Sequence, residues 1–255
     1  MKQHRSFARH QCGYTLLEIL VALFIGIFLL AGLFTILQNT RRSSSNQSGL
    51  AQLQDEERMA MSLLNDVIQN AGYFDTGTYQ SALTAWPSAT AIGASGTSLA
   101  PGQPLTGSDG STDVISARYG TNGTDGMIGC NGSPSGTATT FLNTFFITSS
   151  TSGGVTTYSL SCSIDGTNTA TSAVPLVNGV VNMQIYYGVS TQAAINNVDT
   201  YMTATQVASN ADWQNVTSVR VTLAFINPYT GSTPYVYFTR VIPLQGRTGV
   251  IATAL

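Results

Sequence analysis

Charge is the scarcest property of this sequence. Only 9% of its 255 residues are Asp, Glu, Lys or Arg, against roughly a quarter in ordinary soluble domains. Lysine occurs once, at Lys2, and histidine only at His4 and His10. Beyond residue 13 there is neither. A Ser-His-Asp triad, a Cys-His pair, an HExxH zinc motif, a P-loop lysine, a lysine Schiff base and any His-bearing metal site are therefore excluded from the body of the chain. Paired carboxylates are the enzymatic chemistry left open. From residue 14 onward seven arginines face twelve acids, a net −5. No basic stripe exists, so the sequence carries no nucleic-acid footprint. Proline is missing between residue 14 and Trp86.

What is abundant is apolar. Hydrophobic residues make up 43% of the chain, enough at this length for a substantial core in one or two domains. Residues 19–37 read ILVALFIGIFLLAGLFTIL, without charge or proline. About 20 residues at ~1.5 Å each cross a ~30 Å hydrocarbon layer, so this segment reads as a membrane helix. The alternative is a cleaved secretory signal, but the run is long for one and no small-x-small site follows Leu37. Lys2, Arg5 and Arg9 precede the span and favour a cytoplasmic N-terminus; Arg41 and Arg42 follow it and weaken the contrast. The bulk of the chain then lies outside the cytoplasm. Glu18, among Leu16, Leu17, Ile19 and Leu20, is either a headgroup-level carboxylate or one kept for a partner cation.

Gly13-Tyr14-Thr15-Leu16-Leu17-Glu18-Ile19-Leu20-Val21-Ala22 resembles the type IV prepilin signature. The resemblance implies a leader of residues 1–13, cut by prepilin peptidase between Gly13 and Tyr14. It also implies N-methylation of Tyr14, where the family most often has Phe, and retention of the apolar helix on the mature protein. Glu18 stands five residues after the cut. In a filament core a carboxylate needs a countercharge, and the N-terminal amine of a neighbouring subunit fits. Glu18 is thus expected to set subunit register during assembly.

Apolar positions at Leu50, Leu53, Met61, Leu64, Val67, Ile68 and Ala71 have helical spacing in their later part, and Gly72 supplies a stop. This helix either continues the membrane helix or is separated from it at Ser43–Asn46 and Gly49. The proline kink usual in such families is missing; Thr35 lies near its place. Asp55, Glu56, Glu57 and Arg58 read as a solvated face, or as a contact with a neighbouring subunit. Residues 75–113 read as a long irregular surface region, anchored by Tyr79, Leu83 and Trp86, with short strands allowed. Strands are then expected at 114–119, 141–148, 155–164, 180–189, 216–227 and 236–244. In the fourth, Val181, Met183, Ile185 and Tyr187 share one face. The last two form a hairpin across a Pro228–Pro234 loop containing Gly231. One long helix followed by strands implies an α+β fold with an antiparallel sheet, divided as leader 1–13, helix 14–72 and β-rich periplasmic head 73–255.

AGYF at 71–74, DVISARYG at 113–120, LVNGVVNMQIYYGV at 176–189 and DWQNVTSVRVTLAF at 212–225 resemble segments of PilW-type minor pilins, in the same order. The basic ending of the family's last strand is reduced to Arg240 and Arg247. The resemblance implies a type IV pilin-like fold and a minor pilin in the bacterial inner membrane, then in the pilus. Its role would be to initiate assembly in a tip or priming complex. The implied partners are other minor pilins, the major pilin, prepilin peptidase and a pilus-tip adhesin. J-type pseudopilins of type II secretion have comparable segments. A bitopic envelope protein or carboxylate-based hydrolase unrelated to pili is the reading from a different class.

Cys12 would leave with the leader, and it precedes the apolar run rather than following it, unlike a lipoprotein cysteine. Cys130 and Cys162 remain, an even number in an oxidising compartment, and are expected to form a disulfide rather than stay free thiols. Asp109, Asp113 and Asp125 lie in Gly-rich loops without EF-hand spacing and read as turn and cap carboxylates rather than calcium ligands. Asn122 and Asn215 fit a glycosylation pattern that is weak outside a eukaryotic context. Trp213 and Tyr186, Tyr187, Tyr235 and Tyr237 divide between sheet packing and an exposed binding surface. No metal or cofactor is expected.

Overall fold

The computed structural model describes residues 15–92, 97–164, 173–191, 197–229 and 234–245. Gly231 and Arg247 lie outside them. The chain divides into two compact units, Met1–Leu50 and Ala51–Leu255, which meet within one helix.

That helix, α1, runs unbroken over Leu16–Gln69. The Ser43–Gly49 stretch does not interrupt it. Serine and asparagine are only mildly unfavourable in helix interiors, and no proline removes a backbone donor. In the first unit its large apolar side chains are exposed from Leu16 to Leu37, and its length and composition suffice to cross a membrane. Thr35 and Thr40 donate their hydroxyls to the carbonyls of Ala31 and Ile36, one turn earlier, at 3.0 and 2.9 Å. Such internal pairing is what an apolar solvent demands of a polar side chain.

In the second unit the same helix becomes amphipathic. Leu53, Ala60, Met61, Leu64, Val67 and Ile68 are buried, as is Ala71 just beyond its end. Gly72 ends it at φ +92°, in the left-handed region, and donates its N–H to Arg118 O at 3.0 Å.

The 75–113 region is more ordered than its composition predicts. It holds a four-residue helix, α2 (Ala82–Ala85), with a reciprocal Ser81/Thr84 capping box. A hairpin of β1 (Ala89–Ile92) and β2 (Thr97–Leu99) follows, then β3 (Leu105–Ser108). Trp86 anchors the region as expected, edge-on to Phe74. Leu83 does not: it is exposed.

The remaining strands are β4 (Val114–Thr121), β5 (Thr139–Ser152), β6 (Val155–Ser163), β7 (Val174–Asn178), β8 (Val180–Val189), β9 (Thr200–Met202), β10 (Val216–Ile226) and β11 (Tyr235–Pro243). A short helix, α3 (Ala204–Ser209), and a 3-10 turn at Asp212–Asn215 precede β10. All pairings are antiparallel. Instead of one main sheet there are two, of order β3-β4-β5-β6-β7 and β11-β10-β8-β9, plus the β1-β2 hairpin. The fold is α+β, an apolar N-terminal helix followed by antiparallel sheets, consistent with a type IV pilin-like architecture.

The core lies between the amphipathic half of α1 and the inner faces of both sheets. On β10, Val219, Val221, Leu223 and Phe225 point inward as their alternation predicts. On β8 the pattern is corrected by a register shift. Ala224 faces Asn182 while Phe225 faces Val180, leaving Val181 unpaired. The bulge turns Val180 into the core and Val181 out of it. Met183, Ile185 and Tyr187 keep their predicted face.

β4 is buried on both faces. Ile115, Ala117 and Tyr119 face the main core, while Val114 packs with Leu99 and Phe146 on the opposite side. Gly107, on neighbouring β3, lies against the Tyr187 hydroxyl; an added Cβ would run into that oxygen and come within 2.8 Å of Val114 O. Tyr187 Oη is buried without a hydrogen-bond partner among the described residues.

Gly107→Ala is therefore expected to destabilise the head by about 1–3 kcal/mol in chemical denaturation. Tyr187→Phe alone is expected to be neutral to stabilising, because it removes an unsatisfied buried hydroxyl, and to recover part of the Gly107→Ala loss in the double variant.

Candidate functional site

The residues singled out by sequence fall into separate features rather than one cleft. Gly13 and Tyr14 lie outside the described residues. Glu18 sits in the first turn of α1, where its backbone N–H donates to Thr15 O at 3.0 Å and more weakly to Thr15 Oγ1 at 3.4 Å. Thr15 acts as N-cap, and an acid in the first turn is favoured by the helix dipole. Its carboxylate is exposed and makes no ion pair among the described residues.

In the second unit Cys130 and Cys162 form a disulfide with their Cα atoms 6.3 Å apart. Cys130 lies in the β4–β5 connection and Cys162 on β6, so the bridge ties that connection to the sheet. Cys130 N–H also donates to Asn143 Oδ1 at 2.8 Å, and Tyr119 donates its hydroxyl to Ile128 O in the same connection. Burial pushes the Tyr119 phenol up to about 12.

The three aspartates act as caps and turns. Asp109 accepts the N–H groups of Ala204 and Thr205 at 2.9 Å each, fixing the start of α3 from the β3–β4 turn. Partial burial raises its pKa, but hydrogen bonds from Thr205, Thr203 and Ala204 outweigh that and hold the carboxyl below its usual range. Asp113 accepts from Gly110 N at 3.1 Å and Ile185 N at 2.7 Å, linking β4 to β8. Burial dominates there and raises its pKa despite those bonds. Asp125 closes its own turn through Thr121, Asn122 and Met127. No cluster of His, Cys, Asp or Glu able to hold a metal occurs among the described residues.

Of the 55–58 charges, Glu57 reaches Arg240 at 3.9 Å, while Glu56 accepts from Gln52 Nε2 at 2.9 Å. The ion pair is partly exposed and worth little. The aromatic residues divide: Tyr187 and Trp213 stack edge-on in the core, whereas Tyr186, Tyr235 and Tyr237 are exposed.

Sequence reasoning missed Arg118. It is 1% exposed, on the outer face of β4. Nε donates to Gln103 O at 2.6 Å, Nη1 to Pro87 O at 2.6 Å and Nη2 to Ala100 O at 2.5 Å. Desolvation lowers its pKa to about 10, so it stays charged at neutral pH. One guanidinium thereby fastens Pro87, Ala100 and Gln103 to β4 with backbone carbonyls alone. A single arginine in a β-prone run carries no sequence signal of such a role.

Two outcomes follow. Cys130→Ser with Cys162→Ser is expected to cost roughly 3–4 kcal/mol by loss of a 32-residue closure, read by urea denaturation with and without reductant. Asp109→Asn, which keeps an acceptor but removes the charge at the start of α3, is expected to cost about 0.3–1 kcal/mol near neutral pH. Because the folded carboxyl titrates below its unfolded value, that contribution is fully present above the ordinary aspartate range and is lost as pH falls below that range and through the lower folded value. The difference between variant and parent should vanish in acid.

Comparison with known proteins bears on both units. No curated protein and no solved structure matches the chain. The prokaryotic N-terminal methylation motif matches residues 8–34, enclosing Gly13, Tyr14 and Glu18. The family of type IV pilus-assembly protein W matches residues 144–236, from β5 into β11. Of the four head segments noted above, 176–189 and 212–225 lie inside that span; 71–74 and 113–120 lie outside it. The chain thus carries a prepilin-type methylation motif at its start and, further on, a β-rich region that matches the PilW family model.

Proposed function

We propose that the protein is a type IV pilus minor pilin that helps initiate pilus assembly, within a tip or priming complex of minor pilins. The observation that carries this reading is the joining of two features on one unbroken helix. Its first part is apolar on every side, with the methylation motif at its start. Its later part packs into a head that matches the PilW family.

In this reading the chain waits in the inner membrane by its single apolar helix, with the head in the periplasm. Prepilin peptidase removes residues 1–13, and the new amine at Tyr14 is methylated. Helix packing with the major pilin and other minor pilins then replaces lipid contacts. Glu18 is left as a carboxylate in an apolar core, where an unpaired charge is costly and a paired one fixes alignment. The Tyr14 amine of a neighbouring subunit supplies the countercharge. The head contributes partner choice, including contact with a pilus-tip adhesin. The match to pilus-assembly protein W favours this role over that of a secretion pseudopilin.

Intact mass and N-terminal sequencing of membrane-extracted protein, from cells with and without prepilin peptidase, test the reading. The expected result is a peptidase-dependent start at methylated Tyr14. A start at Met1 or beyond Leu37 in both strains overturns it. Glu18→Gln is expected to insert and be processed normally but to enter pili far less, read by immunoblot of sheared filaments; normal incorporation removes Glu18 from the mechanism.

A further inference from the structure

The outer face of the β11-β10-β8-β9 sheet is unlike the rest of the head's surface. On β10, Arg220, Thr222 and Ile226 alternate with the buried Val219, Val221, Leu223 and Phe225 and point away from the core, with buried Ala224 among them. The register sets Arg220 directly between Tyr186 on β8 and Val241 on β11. Its guanidinium carbon lies 4.7 Å from the centroid of the Tyr186 ring and 4.6 Å from that of Tyr201 on β9. Gly188 stands between Tyr201 and Ser218 in the register. A side chain there would meet Ser218 Oγ and Val198, so the close approach of these two requires glycine.

Two aromatic rings hold the guanidinium by its π-face interactions. They leave unanswered its N–H donors, which lie in the guanidinium plane. Among the described residues no carboxylate reaches Arg220, and the one ion pair belongs to Arg240 and Glu57. No hydrogen bond from Arg220 is formed within them either. The other buried-region arginine, Arg118, is by contrast saturated by carbonyls. Beside Arg220 the same face exposes Val241, Tyr237 at 65% and Ile226 at 48%. An arginine with fixed geometry, ringed by tyrosines and aliphatic side chains and short of other charge, has the composition of an interface centre.

We propose that this sheet face docks a different protein, one that presents a carboxylate between apolar side chains, with Arg220 as the anchor that receives it. The occupant follows from charge: the unanswered group is a planar cation, which pairs a carboxylate through two parallel hydrogen bonds. A second copy of this chain is the poorer fit, since a two-fold contact through this face would oppose one Arg220 to another. The flanking aliphatic side chains favour a protein segment over a sugar or a lipid headgroup. This inference rests on the face alone and does not require the pilus reading. Its failure would leave N-terminal processing unchanged, and processing can fail without affecting it.

The test places a photo-crosslinking benzoylphenylalanine at position 241 in the full-length chain, in its own cells, with position 156 on the β5–β6 hairpin as control. Crosslinked peptides are identified by mass spectrometry. The expected adduct is specific to position 241 and maps to another protein, beside an Asp, Glu or chain-terminal carboxylate. Arg220→Glu is expected to lower its yield on the order of tenfold, and reversing the charge of a mapped Asp or Glu should restore it. Arg220 lies outside the core, so the melting midpoint should be unchanged; should Arg220→Glu lose the fold, Arg220→Lys, which keeps the charge but not the planar fork, is expected to give an intermediate yield. No adduct above the control, an adduct indifferent to both variants, or one on a second copy, a glycan or a lipid would overturn the proposal.

Discussion

One helix has to satisfy two solvents, and most of the structure depends on how it does so. Over Leu16–Leu37 α1 offers apolar side chains in every direction, which only an apolar surrounding accepts. Over Leu53–Ala71 it offers one apolar stripe, which needs a core. No proline or helix-ending glycine intervenes until Gly72, so a single hydrogen-bonded rod carries both demands. The head is built around the second. Its two sheets place their inner faces against that stripe, and Gly72 ends the helix where the chain turns toward β4.

The sheets also need cover on their other sides. On the five-stranded sheet Leu99 packs on Val114 and Phe146, and Pro87, Ala100 and Gln103 are bound to Arg118. Thr106, Ser116 and Thr144 on the same sheet are all fully buried hydroxyls, and Ser116 pairs with Thr144. A polar layer of small residues packs closely but contributes less than an apolar one, so the cover depends on hydrogen bonds. Arg118 provides three of them from one side chain. Outside its reach, Phe146, Val114 and Leu99 add a small apolar cluster. The four-stranded sheet receives no comparable cover from the described residues, and its outer side is where tyrosines and aliphatic groups stay exposed.

Much of this was legible in the sequence. The long central strands alternate cleanly because one side is buried, as in Val219–Phe225. The apolar run and its Gly13–Glu18 preface state their own chemistry. The cysteine pair was readable because only two cysteines follow the apolar run. Other features were hidden for identifiable reasons. The β8 bulge exchanges Val180 for Val181, two identical residues that no pattern can distinguish. β7 and β9 are too short for periodicity. The split into two sheets depends on non-local pairing, and Arg118 depends on carbonyls, which every residue has. Small polar residues at 75–113 suggested irregular surface because the tertiary contacts that order them leave no trace in composition.

The close of α1 has a mechanical meaning. Gly72 hands its N–H to the backbone of Arg118, and β4 is bonded along one edge to β3 and along the other to β5. A pull entering along the helix passes to a strand flanked on two sides. Displacing that strand breaks hydrogen bonds along both of its edges. The side chain of Arg118 ties Pro87, Ala100 and Gln103 to the same strand, and the Cys130–Cys162 bridge links the β4–β5 connection to β6 covalently. The end of α1 is thereby seated on a strand that cannot shift without its two neighbours and the segment bound to Arg118.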